Sequence, residues 1–293
     1  MRLAVSSYSF QQRVKKGEMT QFDTIREAAR MGFDGIEFTD LRPENDPKPT
    51  LEEQLAYAKR LREEAAAEGV EIVGYMVGAN LYRGSREADD AEVDRLKGQL
   101  DVAAAMGAKL FRHDVCYSEK LGEKVVGFDR MLPTIAENAR RITEYAQALG
   151  IRTCTENHGR IAQDRDRMER LWLAVDHENY GLLLDVGNFA CADEDSVLAV
   201  SRLAPLAIHV HAKDFLAYPY GTPVPEGVKS FSTRACNQLV GCAVGDGVIP
   251  VKQCMAILKN AGYDGYVTVE FEGPQDCMNE IEKGRDRLKE YLL

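Results

Sequence analysis

The sequence predicts a single (β/α)8 barrel, and three observations carry that prediction. Eight short β-rich runs alternate with eight longer segments of helical period. The strand runs read as near-continuous apolar stretches, as strands buried on both faces do. A glycine repeatedly stands at the end of a helical segment, shortly before the next apolar run, which implies the short αβ turns of an α/β fold. Eight βα units in order suggest closure of the sheet into a barrel, with residues 1–293 as one domain. The competing arrangement is an open, doubly wound sheet. No G-x-G-x-x-G follows the first strand, which weakens its dinucleotide-binding version.

The elements follow in order. A strand is expected at 3–9, then a helical segment at 20–31 closed by Gly32. The strand at 35–39 leads into residues 41–50 (LRPENDPKPT), where three prolines mark a long βα loop, and then into a helix at 51–68 stopped by Gly69. The strand at 71–77 is followed by a helix at 91–106 and Gly107, and the strand at 109–115 by a helix at 131–149. In that last helix Ile135, Ala139, Ile142, Ala146 and Leu149 recur at steps of three or four and form one buried stripe. Arg140, Arg141 and Glu144 fall off the stripe, and Gly150 supplies the stop. Strands at 151–156 and 181–186 alternate with helices at 165–176 and 194–204. Trp172 falls in the first of these and reads as outer packing. The strand at 206–211 precedes a second long loop, 214–249, which contains Gly221, Pro223, Pro225, Gly245 and Gly247. A helix at 250–261 closed by Gly262, a strand at 266–271 and a helix at 277–292 complete the count. Both long loops are βα loops, the kind that lie over the active face of a barrel.

Composition narrows the partners. Hydrophobic residues make up 45% of the 293 and charged residues 29%, enough for a full core beneath a soluble surface. The net charge of −10 repels phosphate backbones and anionic lipid at long range, so nucleic acid and membrane are poor partners. The seven cysteines are odd in number and include no C-x-x-C pair, which fits reduced cytoplasmic thiols rather than a disulfide framework or a zinc knuckle. No signal peptide or membrane-spanning run is expected.

Polar residues should be scarce in buried parallel strands, yet here they gather at strand ends. The fifth strand ends in TCTENHG with Glu156, and the sixth in LLLDVGNF with Asp185. The seventh reads AIHVHAKD with His209 and His211, and the eighth VTVEFEG with Glu270 and Glu272. Barrel strand ends converge on one face, so four neighbouring strands aim these groups at one point. Three carboxylates and an imidazole repel one another unless a cation lies between them. Oxygen-rich ligation with one nitrogen favours Mn2+ or Mg2+, with Co2+ or Fe2+ as further candidates. Strand alternation does not separate His209 from His211, or Glu270 from Glu272, because each pair shares a face. Nearness to the strand end favours His211, and between the two glutamates the choice stays open. Taken singly, each group has a blander reading: an exposed loop acid, a helix cap, a hydrogen-bonded core histidine. The coincidence on four consecutive strands is what argues for a metal site.

The strings Glu156-Asn157-His158-Gly159, Leu184-Asp185-Val186-Gly187-Asn188-Phe189, His211-Ala212-Lys213-Asp214 and Gly262 through Gly273 resemble the xylose isomerase-like barrel superfamily. The resemblance is to its sugar phosphate isomerase/epimerase branch, whose relatives include ketose 3-epimerases, inosose dehydratase and, more distantly, endonuclease IV. It runs over nearly the whole chain and is sharpest from residue 151 to 273. It implies Glu156, Asp185, His211 and Glu270 as metal ligands, with Glu156 and Glu270 also the acid/base pair on opposite faces of a substrate. In the epimerases the residue three after the strand-6 Asp is often a substrate-contacting His. Here it is Asn188, a departure from the ketose 3-epimerase pattern.

Four more residues are candidates. His113, in LFRHDV, reads as a general base or hydroxyl donor, with a structural role as the alternative. His158 reads as a substrate contact or a loop hydrogen bond. Lys213 is suited to a carboxylate, a phosphate or a carbonyl, or to a rim salt bridge. Glu37, at the end of the second strand, is either a substrate contact or a member of a polar network.

The expected activity is that of a sugar isomerase or epimerase. A divalent ion would grip a hydroxyl and the neighbouring carbonyl of a small carbohydrate and stabilise the enediolate. One glutamate would remove the carbon-bound proton and the other return it. The alternative on the same site is a lyase, either an inosose-type dehydratase or an enzyme cleaving 3-keto C-glycosides as the related C-glycoside deglycosidase subunits do. A non-catalytic sugar-binding protein and a nuclease are the other classes weighed; five histidines and a charge of −10 count against the nuclease. A homo-oligomer or a complex with a small subunit is left open.

Overall fold

A computed structural model describes residues 1–293 apart from 44, 45 and 47. Eight parallel strands close into a barrel: β1 (Arg2–Ser6), β2 (Gly35–Thr39), β3 (Glu71–Val77), β4 (Leu110–His113), β5 (Arg152–Glu156), β6 (Tyr180–Asp185), β7 (Ala207–Ala212) and β8 (Tyr266–Val269). Each pairs with its sequence neighbours, and β8 closes on β1 in the register Leu3 to Val267. Among the described residues a short helical turn at Gln11–Val14 follows β1, and one longer helix follows each strand: α1 (Gln21–Arg30), α2 (Leu51–Glu68), α3 (Arg86–Met106), α4 (Phe128–Ala148), α5 (Arg165–Val175), α6 (Ser196–Leu203), α7 (Val251–Asn260) and α8 (Cys277–Leu292). No helix among the described residues is long and apolar enough to cross a membrane.

Local chemistry sets the boundaries. Thr20 with Asp23, and Thr50 with Glu53, form reciprocal capping boxes that start α1 and α2. Gly69 and Gly107 end α2 and α3 at φ 71° and 82°, the left-handed region that glycine enters without a Cβ clash. Helix α3 begins five residues before the expected 91, because the Ser85 side chain accepts the Ala88 N–H and caps a polar first turn that carries no apolar period. Helix α4 begins at Phe128 and carries Pro133 within it. Strand β1 stops at Ser6, whose side chain accepts from Tyr8 N–H as the chain enters a 3-10 turn at Ser7–Phe10.

Of the two long loops, 41–50 follows β2 as expected, and its residues 44, 45 and 47 lie outside the described residues. The segment 214–249 is more ordered than its glycines and prolines suggest. It folds as a three-stranded antiparallel sheet in which Gln238–Cys242 pairs with both Asp214–Tyr218 and Phe231–Ser232. The buried Asp214 carboxylate accepts the backbone N–H groups of Phe215, Gly245, Gly247 and Ile249, which pins both ends of the insertion.

The main apolar core lies between barrel and helices, and Trp172 packs half-buried against it. A separate cluster of Met76, Leu110, Cys154 and Leu183, with Ile208 against it, lies one pleat below the strand ends. Leu110, Cys154 and Leu183 stand two residues before Arg112, Glu156 and Asp185, hence on the same face of their strands.

Candidate active site

Strand alternation turns Arg112, Glu156, Asp185 and His211 into the barrel mouth, and Glu270 follows β8 with its backbone N–H bonded to Ala212 O. One ligand atom from each of Glu156, Asp185, His211 and Glu270 lies within 4.8 Å of all the others. Glu156, His211 and Glu270 line a cavity of about 710 Å³, whose walls include Tyr8, Arg112, His158, Lys213 and Glu272, and Asp185 is fully buried beside them.

Each ligand is held from behind. Asp185 Oδ1 accepts the N–H groups of Gly187 and Asn188 at 2.8 and 3.1 Å, which aims Oδ2 into the site. Asn157 clamps the ends of β5 and β6, donating to Asp185 O and accepting Asp185 N–H. Glu156 is tied at both oxygens: Asn188 Nδ2 donates to Oε1 at 2.9 Å, and the Arg112 guanidinium meets Oε2 at 2.5 Å. Arg112 also pairs with Asp114 at 2.9 Å. Lys213 Nζ lies 2.6 Å from Glu270, and 3.3 Å from both Asp185 and Glu272. Tyr8 donates its hydroxyl to the other oxygen of Glu272 at 2.9 Å.

The electrostatics follow from this crowding. Burial pushes the Asp185 carboxyl up to about 6, with repulsion from Glu156 and Glu270 added and Lys213 opposing. Burial acts in the same sense on Glu270, but Lys213 and His211 override it and hold that carboxyl well below the usual range. Burial would lower His211, yet Glu37 and Glu270 raise it well above an ordinary imidazole. Asp185 Oδ2 and His211 Nδ1 are buried without a hydrogen-bond partner. Buried ligand atoms without a hydrogen bond, in an O3N set, are what a divalent cation would satisfy once His211 has given up its extra proton. The residues present fit such an ion.

The structure distributes the sequence candidates unevenly. It brings His158 to the mouth, with Nδ1 3.0 Å from Asp114 Oδ1, so Nε2 is the nitrogen left to a molecule in the cavity. Asn188 and Lys213 also line the cavity. His113 is not brought there. It follows Arg112 on β4, so its ring points the other way, into the wall between Phe111 and Tyr180. Burial there pushes it down to about 4, leaving a neutral core imidazole. Glu37 is fully buried beneath His211 and does not line the mouth. Arg112, Asp114 and Tyr8 reach the site without having been singled out. Alternation by itself does not choose between Arg112 and His113, because the preceding Leu110 and Phe111 are both apolar.

The family model described as xylose isomerase-like TIM barrel matches residues 25–291. An inosose dehydratase of Geobacillus thermodenitrificans is 26% identical over 292 residues, covering 94% of this chain and 90% of that one. An inosose dehydratase of Bacillus thuringiensis is 25% identical over 193 residues, and there the match covers 61% of the relative's length. Among solved structures, the zinc-bound IOLI protein superposes with a TM-score of 0.76 at 15% identity, covering 100% of this chain and 98% of that one. A D-psicose 3-epimerase crystallised with D-fructose superposes with a TM-score of 0.74 at 17% identity, covering 100% and 99%.

Proposed function

The chain belongs to the xylose isomerase-like TIM barrel family, and from that premise we propose that it is a divalent-metal-dependent enzyme that moves a proton beside the carbonyl of a small polyhydroxy ketone. The observation that carries the reading is the convergence of Glu156, Asp185, His211 and Glu270 on one point at the floor of the mouth. When bound there, Mn2+, Mg2+ or Co2+ would supply Lewis-acid polarisation of the carbonyl.

The chain's own residues would do the rest. Glu270, kept ionised by Lys213, accepts the proton from the carbon next to the carbonyl. Glu156 is held in place by Asn188 and Arg112 on the other side of the ligand set. His158, fixed through Nδ1 by Asp114, presents Nε2 to a hydroxyl on the neighbouring carbon. A proton given to that hydroxyl lets it leave as water, and the electron pair released by deprotonation forms the new double bond. Elimination is therefore the leading fate, and the near-full-length match to an inosose dehydratase supports it. Epimerisation is the second reading. It is favoured by two carboxylates, Glu156 and Glu270, facing the same small volume.

One experiment separates the fates. The chain loaded with Mn2+ is incubated in D2O with an inosose and, separately, with free ketoses. Elimination predicts ultraviolet absorbance from a conjugated product, and epimerisation predicts deuterium in a saturated product. Absence of both with every keto-sugar and inosose tested would refute the proposal.

A further inference from the structure

Among the four proposed ligands, only His211 can ligate through one of its two candidate atoms solely when the other carries the hydrogen. A metal takes an imidazole nitrogen that carries no proton, so the other nitrogen has to hold the hydrogen. His211 Nδ1 is on the ligand side, 3.6 Å from Glu270 Oε2 and 3.8 Å from Glu156 Oε1. His211 Nε2 faces the opposite way, 2.9 Å from Glu37 Oε1. The Glu37 carboxylate is sealed from solvent and is itself oriented: its Oε2 lies 3.0 Å from His209 Nε2 and accepts the Thr268 hydroxyl at 3.3 Å. One oxygen is thus pinned by β7 and β8 neighbours while the other is delivered to His211.

We propose that Glu37 is a positioning residue for the metal centre, holding the hydrogen of His211 on Nε2 so that Nδ1 is the ligating atom. His209 and Thr268 set the angle of that carboxylate. This replaces the substrate-contact reading of Glu37, which its place beneath His211 rules out. It rests on the reading that Glu156, Asp185, His211 and Glu270 hold a cation. Glu37, His209 and His211 also lie close enough together to be weighed as a metal site of their own. Against that, the group offers only three donors in a closed pocket, and Glu37 Oε2 is already engaged twice.

The test is equilibrium binding of Mn2+ alone to the full chain, followed by the visible spectrum of the Co2+ form. The wild type should take one ion. In Glu37→Gln the amide can offer an N–H to His211 Nε2, which favours the wrong tautomer. Affinity should fall about 10- to 100-fold, and the Co2+ bands of the saturated protein should change shape. Thr268→Val, which leaves Glu37 in place but removes one of the two groups that hold its Oε2, should shift both readouts in the same direction by less, and it serves if Glu37→Gln does not fold. Wild-type affinity and an unchanged Co2+ spectrum in a folded variant would overturn the role given to Glu37. Two ions per wild-type chain would overturn it as well, by making Glu37 a ligand. No ion bound by the wild type would instead remove the metal-dependent reading on which it rests.

Discussion

One pleat separates two regions of the barrel interior with opposite physics. Below, Leu110, Cys154 and Leu183 pack as an apolar plug with Met76, which also reaches the mouth. Above, Arg112, Glu156, Asp185 and His211 occupy the next inward positions as a buried charged cluster. The plug is satisfied by contact alone. The upper layer pairs its charges and still leaves Asp185 Oδ2 and His211 Nδ1 with ion-pair contacts but no hydrogen bond. Breaking a buried ion pair exposes an uncompensated charge, whereas trimming a plug residue opens a void. Both layers should therefore contribute to stability, while the upper layer alone carries the chemistry.

Four experiments would sharpen or break that division. The largest effect should come from Glu270→Gln, which keeps shape but removes the base. We expect turnover of an inosose or ketose to fall about 10²- to 10⁴-fold, and urea unfolding of the metal-free chain should weaken as well, because Lys213 loses its nearest buried partner. Next, Leu183→Ala, in the fully buried plug, should lower unfolding free energy by about 2–5 kcal/mol. Its Mn2+ affinity should match the wild type; a large loss of affinity would show that plug and mouth are not separable. Third, Mn2+ at about 100 times its dissociation constant should stabilise the wild type by about 2.7 kcal/mol in urea melts. Asp185→Asn should abolish that gain. The smallest effect concerns thiols. Cys236 is exposed and should alkylate first at pH 8 by mass spectrometry. Cys191, at the mouth, should lag, because burial pushes its thiol up to about 11, and its labelling should rise with pH toward that value.

Much of this was readable before any coordinates. The alternation of apolar runs and helical stripes, with glycines at helix ends, reflects local rules of backbone and burial, and it located all eight strands within a few residues. Glu156, Asp185, His211 and Glu270 stood out because carboxylates and imidazoles are costly at the ends of buried strands. Where the reading failed, the cause was a face or a distant partner. His113 was read as a base or hydroxyl donor with a structural role as the alternative, and it lies in the wall while Arg112 faces the mouth, because adjacent residues of a strand point oppositely and only the neighbouring strands say which face is inside. The segment 214–249 was read as a loop, since its sheet depends on pairing Phe215 with Gly241, 26 positions further along the chain.

The amino-acid sequence by itself determined that eight βα units exist and that four strand ends carry groups suited to a divalent ion. Period and composition are properties of a chain segment and need no partner to be seen. Only the tertiary structure decided that Glu37 meets His209 and His211, from 172 and 174 positions away. It likewise decided that Asp114 turns His158 and that Lys213 lies between Asp185 and Glu270. Those pairings depend on barrel closure and strand register, which bring β2 across the barrel to β7, and no local pattern along the chain encodes a distance through the interior.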